Sequence, residues 1–329
     1  MKKSYINKNN LIKGLILFYF ILMFIFPYAS YHGASTGLLL WFLNVLPTLL
    51  PFIIVSNLMI QLNITKQISK FLYPVFGRLF KVSPMGCYPI LVGFLSGIPM
   101  GAKSTADLTA DNKISFKEGS FLLNMCNNSS PVFIMNFVAI NQLKLPRIKY
   151  ALFAIVYASS IISALLYRFI CQRMKASDTN NEALWLKQTT LHATSHKQIS
   201  FRYDIVDGCI MNGFEVITKI GGYIILFSIL AQILNQIIPG SSIAKASFMG
   251  ILEITTGVSQ VCKSNADIQM KIVLAAVLTS FGGLSGMAQT KSVLGNTRLS
   301  IKSYFIVKLI NIVITMLLAL LYITLFYAV

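Results

Sequence analysis

The residues best suited to binding a small molecule are polar side chains that interrupt apolar stretches. The clearest group is the run NMCNNSSP at residues 124–131, inside the apolar stretch 121–142. Amide and hydroxyl groups are costly to expose to lipid, so we expect them to face a protein interior or a polar cavity. Pro131 suits the first turn of a helix with Ser129 or Ser130 as its cap, which predicts a half-helix that begins inside the membrane.

A second interruption comes from residues that break the backbone. Residues 84–107, PMGCYPILVGFLSGIPMGAKSTAD, hold three prolines and four glycines in an apolar setting. Each proline removes a donor and clashes with the preceding turn, which predicts two short helices that meet at a non-helical tip. At membrane depth such backbone persists only where it is buried in protein or lines a cavity. This segment is therefore the first candidate for a transport site.

A motif in this segment recurs near the end of the chain. LSG at 95–97 followed by KS at 103–104 is repeated as LSG at 284–286 followed by KS at 291–292. Apolar stretches of similar length precede both motifs at similar distances. We interpret the pattern as an internal duplication of two broken segments.

The composition is that of a membrane protein. Of 329 residues, 55% are hydrophobic and 12% charged, and the mean hydropathy is +0.69. The sequence predicts an all-α, polytopic helical membrane protein with about eight transmembrane helices and two broken or re-entrant segments in an inverted repeat. Three crossings between the repeats favour inversion, whereas Lys263, Lys271 and Lys291 would then lie outside, against the positive-inside tendency.

Hydropathy and charge divide the chain into four parts. Residues 1–36 are a cytoplasmic tail and first transmembrane helix, 37–170 the first repeat, 171–207 a cytoplasmic linker and 208–329 the second repeat. The net charge of +18 lies in short loops beside apolar segments and matches no nucleic-acid motif, so it indicates orientation and contact with anionic lipid. The five cysteines are scattered, which argues against a disulfide framework.

Two further segments were considered for specific roles. Residues 63–83 alternate basic and apolar side chains, which predicts an amphipathic helix in the headgroup plane with a kink at Pro74, or else a packed connector. His192 and His196 are four residues apart, but the nearby sequence has no third ligand. We therefore expect no metal site and no cofactor.

Three motifs together resemble one known family. GFLSGIPMGAKSTADL at 93–108, NNSSPVFI at 127–134 and FGGLSGMAQTKSVL at 281–294 resemble the YlbJ (SpoVV-type) sporulation integral membrane proteins, which carry a nucleoside-transporter-like gate region. The resemblance covers most of residues 37–325, although Ile98 stands where an aromatic residue is expected. It implies a multi-pass protein of the cell membrane or outer forespore membrane that moves dipicolinate from the mother cell towards the forespore.

That substrate would set the chemistry of the site. Dipicolinate is a small planar dianion, so its site needs hydrogen-bond donors and positive potential. The predicted substrate-binding residues are Ser96, Gly97, Pro99, Gly101, Lys103, Asn127, Asn128, Ser129, Ser285, Gly286, Gln289 and Lys291. For the glycines and serines the alternative is close helix packing, and for Lys103 and Lys291 it is snorkelling to the headgroups.

The acidic residues suggest how transport is driven. Glu253 lies in an apolar stretch without a local partner, which predicts coupling to a proton or sodium ion, unless it lies at the interface. Glu215 and Lys219 have the spacing of a structural helical ion pair.

Other function classes were weighed against a dipicolinate carrier. A nucleoside or other metabolite carrier fits the same pattern, and a scaffold for sporulation factors would not need two broken segments. No nucleophile elbow, HExxH pair or nucleotide loop appears, so an enzyme is not expected. The expected partners are a small anion and membrane lipid, with an oligomer left open.

Overall fold

The described part of the chain is helical throughout. A computed structural model describes residues 8–62, 64–174, 203–238, 240 and 243–326, and within these ranges there is no β-strand. The helices are α1 (Lys8–Ile25), α2 (Pro27–Leu40), α3 (Leu46–Gln61), α4 (Thr65–Leu72), α5 (Cys87–Ser96), α6 (Met100–Ala110), α7 (Phe116–Cys126), the π-helical α8 (Phe133–Gln142), α9 (Lys149–Met174), α10 (Tyr203–Ile237), α11 (Ile243–Leu252), α12 (Ile254–Lys263), α13 (Ile268–Phe281), α14 (Gly283–Val293) and α15 (Ile301–Phe326). The all-α class is confirmed. Most of the predicted linker, with His192 and His196, lies outside the described residues.

Several helices are long and apolar enough to cross a bilayer. Four stretches qualify alone, namely Pro146–Cys171, Tyr203–Ile237, Ile268–Val293 and Ile301–Phe326, and up to six do if each of two bent pairs counts as one span. The polytopic membrane class is thereby confirmed, and the protein is a multi-pass integral membrane protein. By length and composition the described residues give a lower number of spans than the predicted eight, because α5, α8 and α11 are too short to cross alone.

The chain repeats one order of elements. Hairpin 1 (α5 and α6) is followed by broken helix 1 (α7 and α8) and then by α9. Hairpin 2 (α11 and α12) is followed by broken helix 2 (α13 and α14) and then by α15. The two arms of each hairpin pack together, and α9 and α15 pack against each other and against the broken helix of their own repeat. This order supports the internal duplication.

The order of elements corrects the pairing drawn from the LSG motifs. Residues 95–97 lie at the tip of hairpin 1, whereas 284–286 lie in α14 of broken helix 2. The structural counterpart of hairpin 1 is hairpin 2, residues 243–263, which the sequence did not mark as broken. Small residues serve close packing in many membrane helices, so a short match of Gly and Ser need not join equivalent positions.

Helix α10 stands between the N-terminal helices and the repeats. It packs against α2 and α3 on one side and against α11 and α14 on the other. The crossing with α2 is close: a Cβ placed on Gly33 would lie 2.6 Å from the Cα of Ile229. The Trp41 indole Nε1 donates to the carbonyl of Ile217 at 2.9 Å and fixes the adjoining turn.

Residues 64–80 combine features of both predicted alternatives. The helix α4 runs into a π-helical turn, Tyr73–Gly77, which contains the predicted kink at Pro74. Phe80 is buried, while Phe71 and Leu79 are exposed. One side of this segment therefore packs on the protein, and the opposite edge keeps exposed apolar side chains of the kind that lie among headgroups.

Candidate functional site

The polar run in broken helix 1 is a true interruption of the helix. Residues 127–130 are non-helical between the end of α7 at Cys126 and the helical turn that begins at Pro131. The Ser130 hydroxyl accepts from the Phe133 amide at 3.2 Å and caps the new helix. The predicted half-helix, with its serine cap and following proline, is confirmed.

The tip of hairpin 1 packs directly on this interruption. After α5 ends at Ser96, Gly97 adopts φ +79°, and the Ile98 amide donates to the Asn128 carbonyl at 2.7 Å. A Cβ on Gly97 would lie 2.6 Å from the Ser130 nitrogen. Glycine is therefore required both by the left-handed backbone and by the close approach.

The following residues of hairpin 1 complete the same contact. Pro99 joins the tip to α6, and Gly101 lies so close to broken helix 1 that a Cβ there would be 2.3 Å from the Cys126 carbonyl oxygen. The structure thus gives Gly97 and Gly101 the packing role that was the alternative to anion binding. The Ser96 hydroxyl is buried and has no hydrogen-bond partner among the described residues.

Asn127 joins three elements. Its Oδ1 accepts from the Ala102 amide of hairpin 1 at 3.3 Å. Its Nδ2 donates to the Thr290 hydroxyl at 2.7 Å and to the Tyr304 hydroxyl at 3.0 Å, both in the second repeat. The Tyr304 hydroxyl donates in turn to the Asn127 carbonyl at 2.9 Å. Every polar group of this side chain is therefore engaged by protein.

Asn128 contacts the long helices that follow the two breaks. Its Nδ2 donates to the Met125 carbonyl at 2.7 Å. Its Oδ1 accepts from the Ser160 hydroxyl at 2.8 Å and from the Lys308 ammonium at 3.1 Å. Asn128 therefore connects broken helix 1 to α9 and to α15.

Ser129 connects the two broken helices. Its hydroxyl donates to the Thr279 carbonyl in α13 at 2.9 Å, and its carbonyl accepts from the Tyr157 hydroxyl at 3.2 Å. The Thr279 hydroxyl is buried without a partner in the described part of the chain, as is that of Ser96. Two hydroxyls near the breaks thus keep unused hydrogen-bonding capacity.

Broken helix 2 is interrupted by two glycines. Gly282 and Gly283 both have positive φ, +81° and +71°, between α13 and α14. The side chain of Ile98 packs here, because its Cδ1 would lie 3.0 Å from a Cβ on Gly282 and 3.8 Å from one on Gly286. The segment 84–107 and broken helix 2 therefore meet, and the aliphatic side chain at position 98 fills the contact.

Two other predicted residues of α14 bind each other. Gln289 donates from Nε2 to the Ser285 hydroxyl at 3.1 Å, and both side chains are buried. They lie four residues apart on the helix that begins at the second break. Ser285 directly precedes Gly286, and Gln289 lies about one turn further along α14; their binding of substrate stays a prediction.

The two predicted lysines lie in different environments. Lys103 on α6 is buried and forms an ion pair with Asp107 at 2.9 Å. Lys291 in the last turn of α14 is exposed. The prediction that both end equivalent segments is wrong, because the first lies in a hairpin and the second in a broken helix.

Glu253 forms the tip of hairpin 2. It is 2% exposed and adopts an extended backbone between α11 and α12. Its carboxylate accepts from the Thr255 amide at 3.1 Å, from the Thr256 amide at 2.7 Å and from the Thr255 hydroxyl. The carboxylate therefore caps α12 and is buried within the protein.

Lys308 is the site residue that the sequence analysis missed. It lies in the first third of α15, is 1% exposed, and donates to Asn128 Oδ1 and to the Ser280 carbonyl. A signal was present, since a lysine inside a final apolar span is by default a functional candidate. Its partner Asn128 is 180 residues away, so spacing along the chain gave no indication of the pair.

Comparison with known proteins found a sequence relative of this chain. The chain is 26% identical over 323 residues to the sporulation integral membrane protein YlbJ of Bacillus subtilis (strain 168), covering 92% of this chain and 79% of that protein. The chain is therefore similar to a YlbJ protein along most of its length. The resemblance suggested by the three motifs is thereby confirmed, and the similarity runs through both repeats. No family model and no solved structure matches the chain.

Proposed function

We propose that this protein is a sporulation membrane transporter that moves dipicolinic acid, a small dianion, across the outer forespore membrane into the developing spore. Sporulation and membrane location follow the name of the YlbJ relative. The choice of a carrier comes from the helix breaks, and the choice of substrate comes from the family resemblance together with the electrostatics of those breaks.

The observation that carries the proposal is the convergence of helix N-termini at the breaks. Helix α6 begins at Met100 after the tip of hairpin 1, the second half of broken helix 1 begins at Pro131, and α14 begins at Gly283. The tip of hairpin 1 contacts both other breaks. Helix N-termini carry partial positive charge and free amides, and half-helices use them to bind anionic substrate groups in transporters.

The side chains around the breaks add donors. The hydroxyls of Ser96 and Thr279 are buried and unpartnered among the described residues, so they can donate to a carboxylate without breaking an existing bond. Lys308 is held by neutral oxygens of Asn128 and Ser280, so its charge adds positive potential. This donor set favours an anion over a cation.

The arrangement is closed. Asn127 and Asn128 are 0% and 1% exposed, and their amide groups bind protein. A substrate therefore reaches the breaks only when the two repeats separate, and it takes over bonds that the repeats now make to each other. A carrier that alternates between open states works in this way.

Transport by purified protein in liposomes tests the proposal. Radiolabelled dipicolinate should accumulate in proteoliposomes and be recovered chemically unchanged, while uridine and adenosine should not accumulate. A Gly97→Val protein, inserted at equal density, provides a control in which hairpin 1 cannot pack on the break.

Spores of a deletion strain provide the cellular arm. We expect low dipicolinate content, restored by the wild-type gene and not by Gly97→Val at matched membrane abundance. Nucleoside uptake without dipicolinate uptake in liposomes would identify a nucleoside as the substrate. If a variant that transports nothing in liposomes fully restored the dipicolinate content of spores, the protein would be a scaffold and not a carrier.

A further inference from the structure

The buried ammonium of Lys308 lies where two half-helices end. Its Nζ is 3.1 Å from Asn128 Oδ1, two residues beyond the end of α7, and 2.9 Å from the carbonyl of Ser280, in the last turn of α13. Among the described residues no carboxylate forms an ion pair with Lys308, whereas the other buried lysine, Lys103, is paired with Asp107. Lys308 is therefore compensated by neutral oxygens and not by an acid.

The oxygens around Lys308 suit a cation for a physical reason. The last carbonyls of a helix have no intrahelical donor and form the negative end of its dipole. Helix α13 supplies such a carbonyl from Ser280, and Asn128, two residues beyond the end of α7, supplies its side-chain amide oxygen. In transporters with discontinuous helices, unwound carbonyls and half-helix C-termini of this kind coordinate the coupling cation.

Polar side chains of α9 and α15 hold these oxygens in place. Asn311 donates from Nδ2 to the Ser280 carbonyl at 3.3 Å, and the Ser163 hydroxyl donates to Asn311 Oδ1 at 3.3 Å. The Ser160 hydroxyl donates to Asn128 Oδ1 at 2.8 Å. The two oxygens are thus oriented from α9 and α15, as the ligands of a built site are.

We propose that the Lys308 ammonium permanently occupies a cation site made by the ends of α7 and α13, in the place of a free sodium ion. A lysine ammonium is a compact point charge on a flexible stem and can fill such a site from one helix. The protein then binds no alkali cation between its broken helices. The inference rests on the proposed function in one respect only. It takes the sodium ion that Lys308 replaces to be the kind of ion that drives transport.

Removal of the ammonium should convert the site into one for a free cation. Purified wild type should have the same melting temperature in NaCl and in choline chloride at equal ionic strength. Lys308→Met should melt lower in choline chloride and regain about 3 °C or more as NaCl is raised, along a saturable curve. Lys302→Met, which removes an exposed lysine of the same helix, should behave as wild type in both salts.

Lys308→Gln serves as a second variant in case Lys308→Met does not fold, because the glutamine amide can still donate to one of the two oxygens. Equilibrium dialysis with radioactive sodium should detect one ion per Lys308→Gln chain and none per wild-type chain. Saturable sodium binding by the wild type would overturn the inference, and so would sodium-independent stability in both variants. These assays involve no substrate, so their failure would leave the proposed transport of dipicolinate untouched.

Discussion

The two hairpins have the same place in their repeats but are held in different ways. The tip of hairpin 1 carries no charge, and its Ile98 amide binds the neighbouring broken helix. The tip of hairpin 2 is a glutamate whose carboxylate binds the amides of its own second arm. Hairpin 1 is therefore held by a contact with the broken helix of its own repeat, whereas hairpin 2 is capped by its own side chain.

The largest loss of stability and transport should come from a change at Gly97, because hairpin 1 packs on broken helix 1 at this residue. Gly97→Ala puts a side chain on a backbone with φ +79° and within 2.6 Å of the Ser130 nitrogen, so we expect a loss on the order of 3 kcal/mol and little transport. Thermal unfolding in detergent and uptake in liposomes measure both. The matched control is Gly222→Ala, which meets open space; equal losses in the two variants would deny the special role of the tip.

The next largest loss of stability should come from Asn127, whose side chain donates hydrogen bonds to the second repeat. Asn127→Ala should cost about 2 kcal/mol, because the buried Tyr304 and Thr290 hydroxyls lose a partner in broken helix 1. Asn57→Ala, which removes an exposed bond to Asn212, should cost less than half as much. A melting temperature that falls equally in both would show that the contact between breaks adds no particular stability.

The two lysines should respond unequally, in keeping with their different elements. Lys103→Gln removes a buried ammonium near hairpin 1 and should raise the apparent KM for dipicolinate about tenfold. Lys291→Gln removes an exposed charge and should change KM by less than about twofold. Initial uptake rates at matched membrane abundance give the KM of each variant. Equal KM increases would support the symmetrical pair of lysines that the sequence suggested.

The smallest effect on stability should come from Glu253→Gln. The amide oxygen of glutamine can still accept from Thr255 and Thr256, so the free energy of unfolding should change by less than about 1 kcal/mol. If Glu253 couples transport to an ion, uptake should fall and its dependence on pH should change. Uptake identical to wild type from acid to neutral pH would assign Glu253 to capping alone.

The sequence predicted hairpin 1 and missed hairpin 2 because the two are broken by different means. Pro99 lies at the tip of hairpin 1, two residues after Gly97, and proline together with glycine disfavours a continuous helix. Hairpin 2 has no proline at its tip, and its arms cross where a Cβ on Gly257 would lie 2.0 Å from the Cα of Gly250. That crossing is a tertiary contact between helices, which hydropathy along the chain does not report.

The site shows the same division between local and distant signals. The polar run around Asn127 and the cap at Ser130 were predictable, because both follow from residues adjacent in sequence. The partners Thr290, Tyr304 and Lys308 were not, since each lies more than 150 residues away in the second repeat. The LSG motifs marked two segments that do meet, although they are not equivalent in the repeat.

The bonds around Asn127 also bear on how tightly the two repeats hold together. Five hydrogen bonds join residues 127–129 to the second repeat, through Thr279, Thr290, Tyr304 and Lys308. At roughly 1 kcal/mol each, an empty protein would separate its repeats only about once in several thousand molecules. In the carrier proposed above, an empty molecule would therefore leak little. A solute that replaces those bonds would lower the free energy of separating the repeats, and so permit its own crossing.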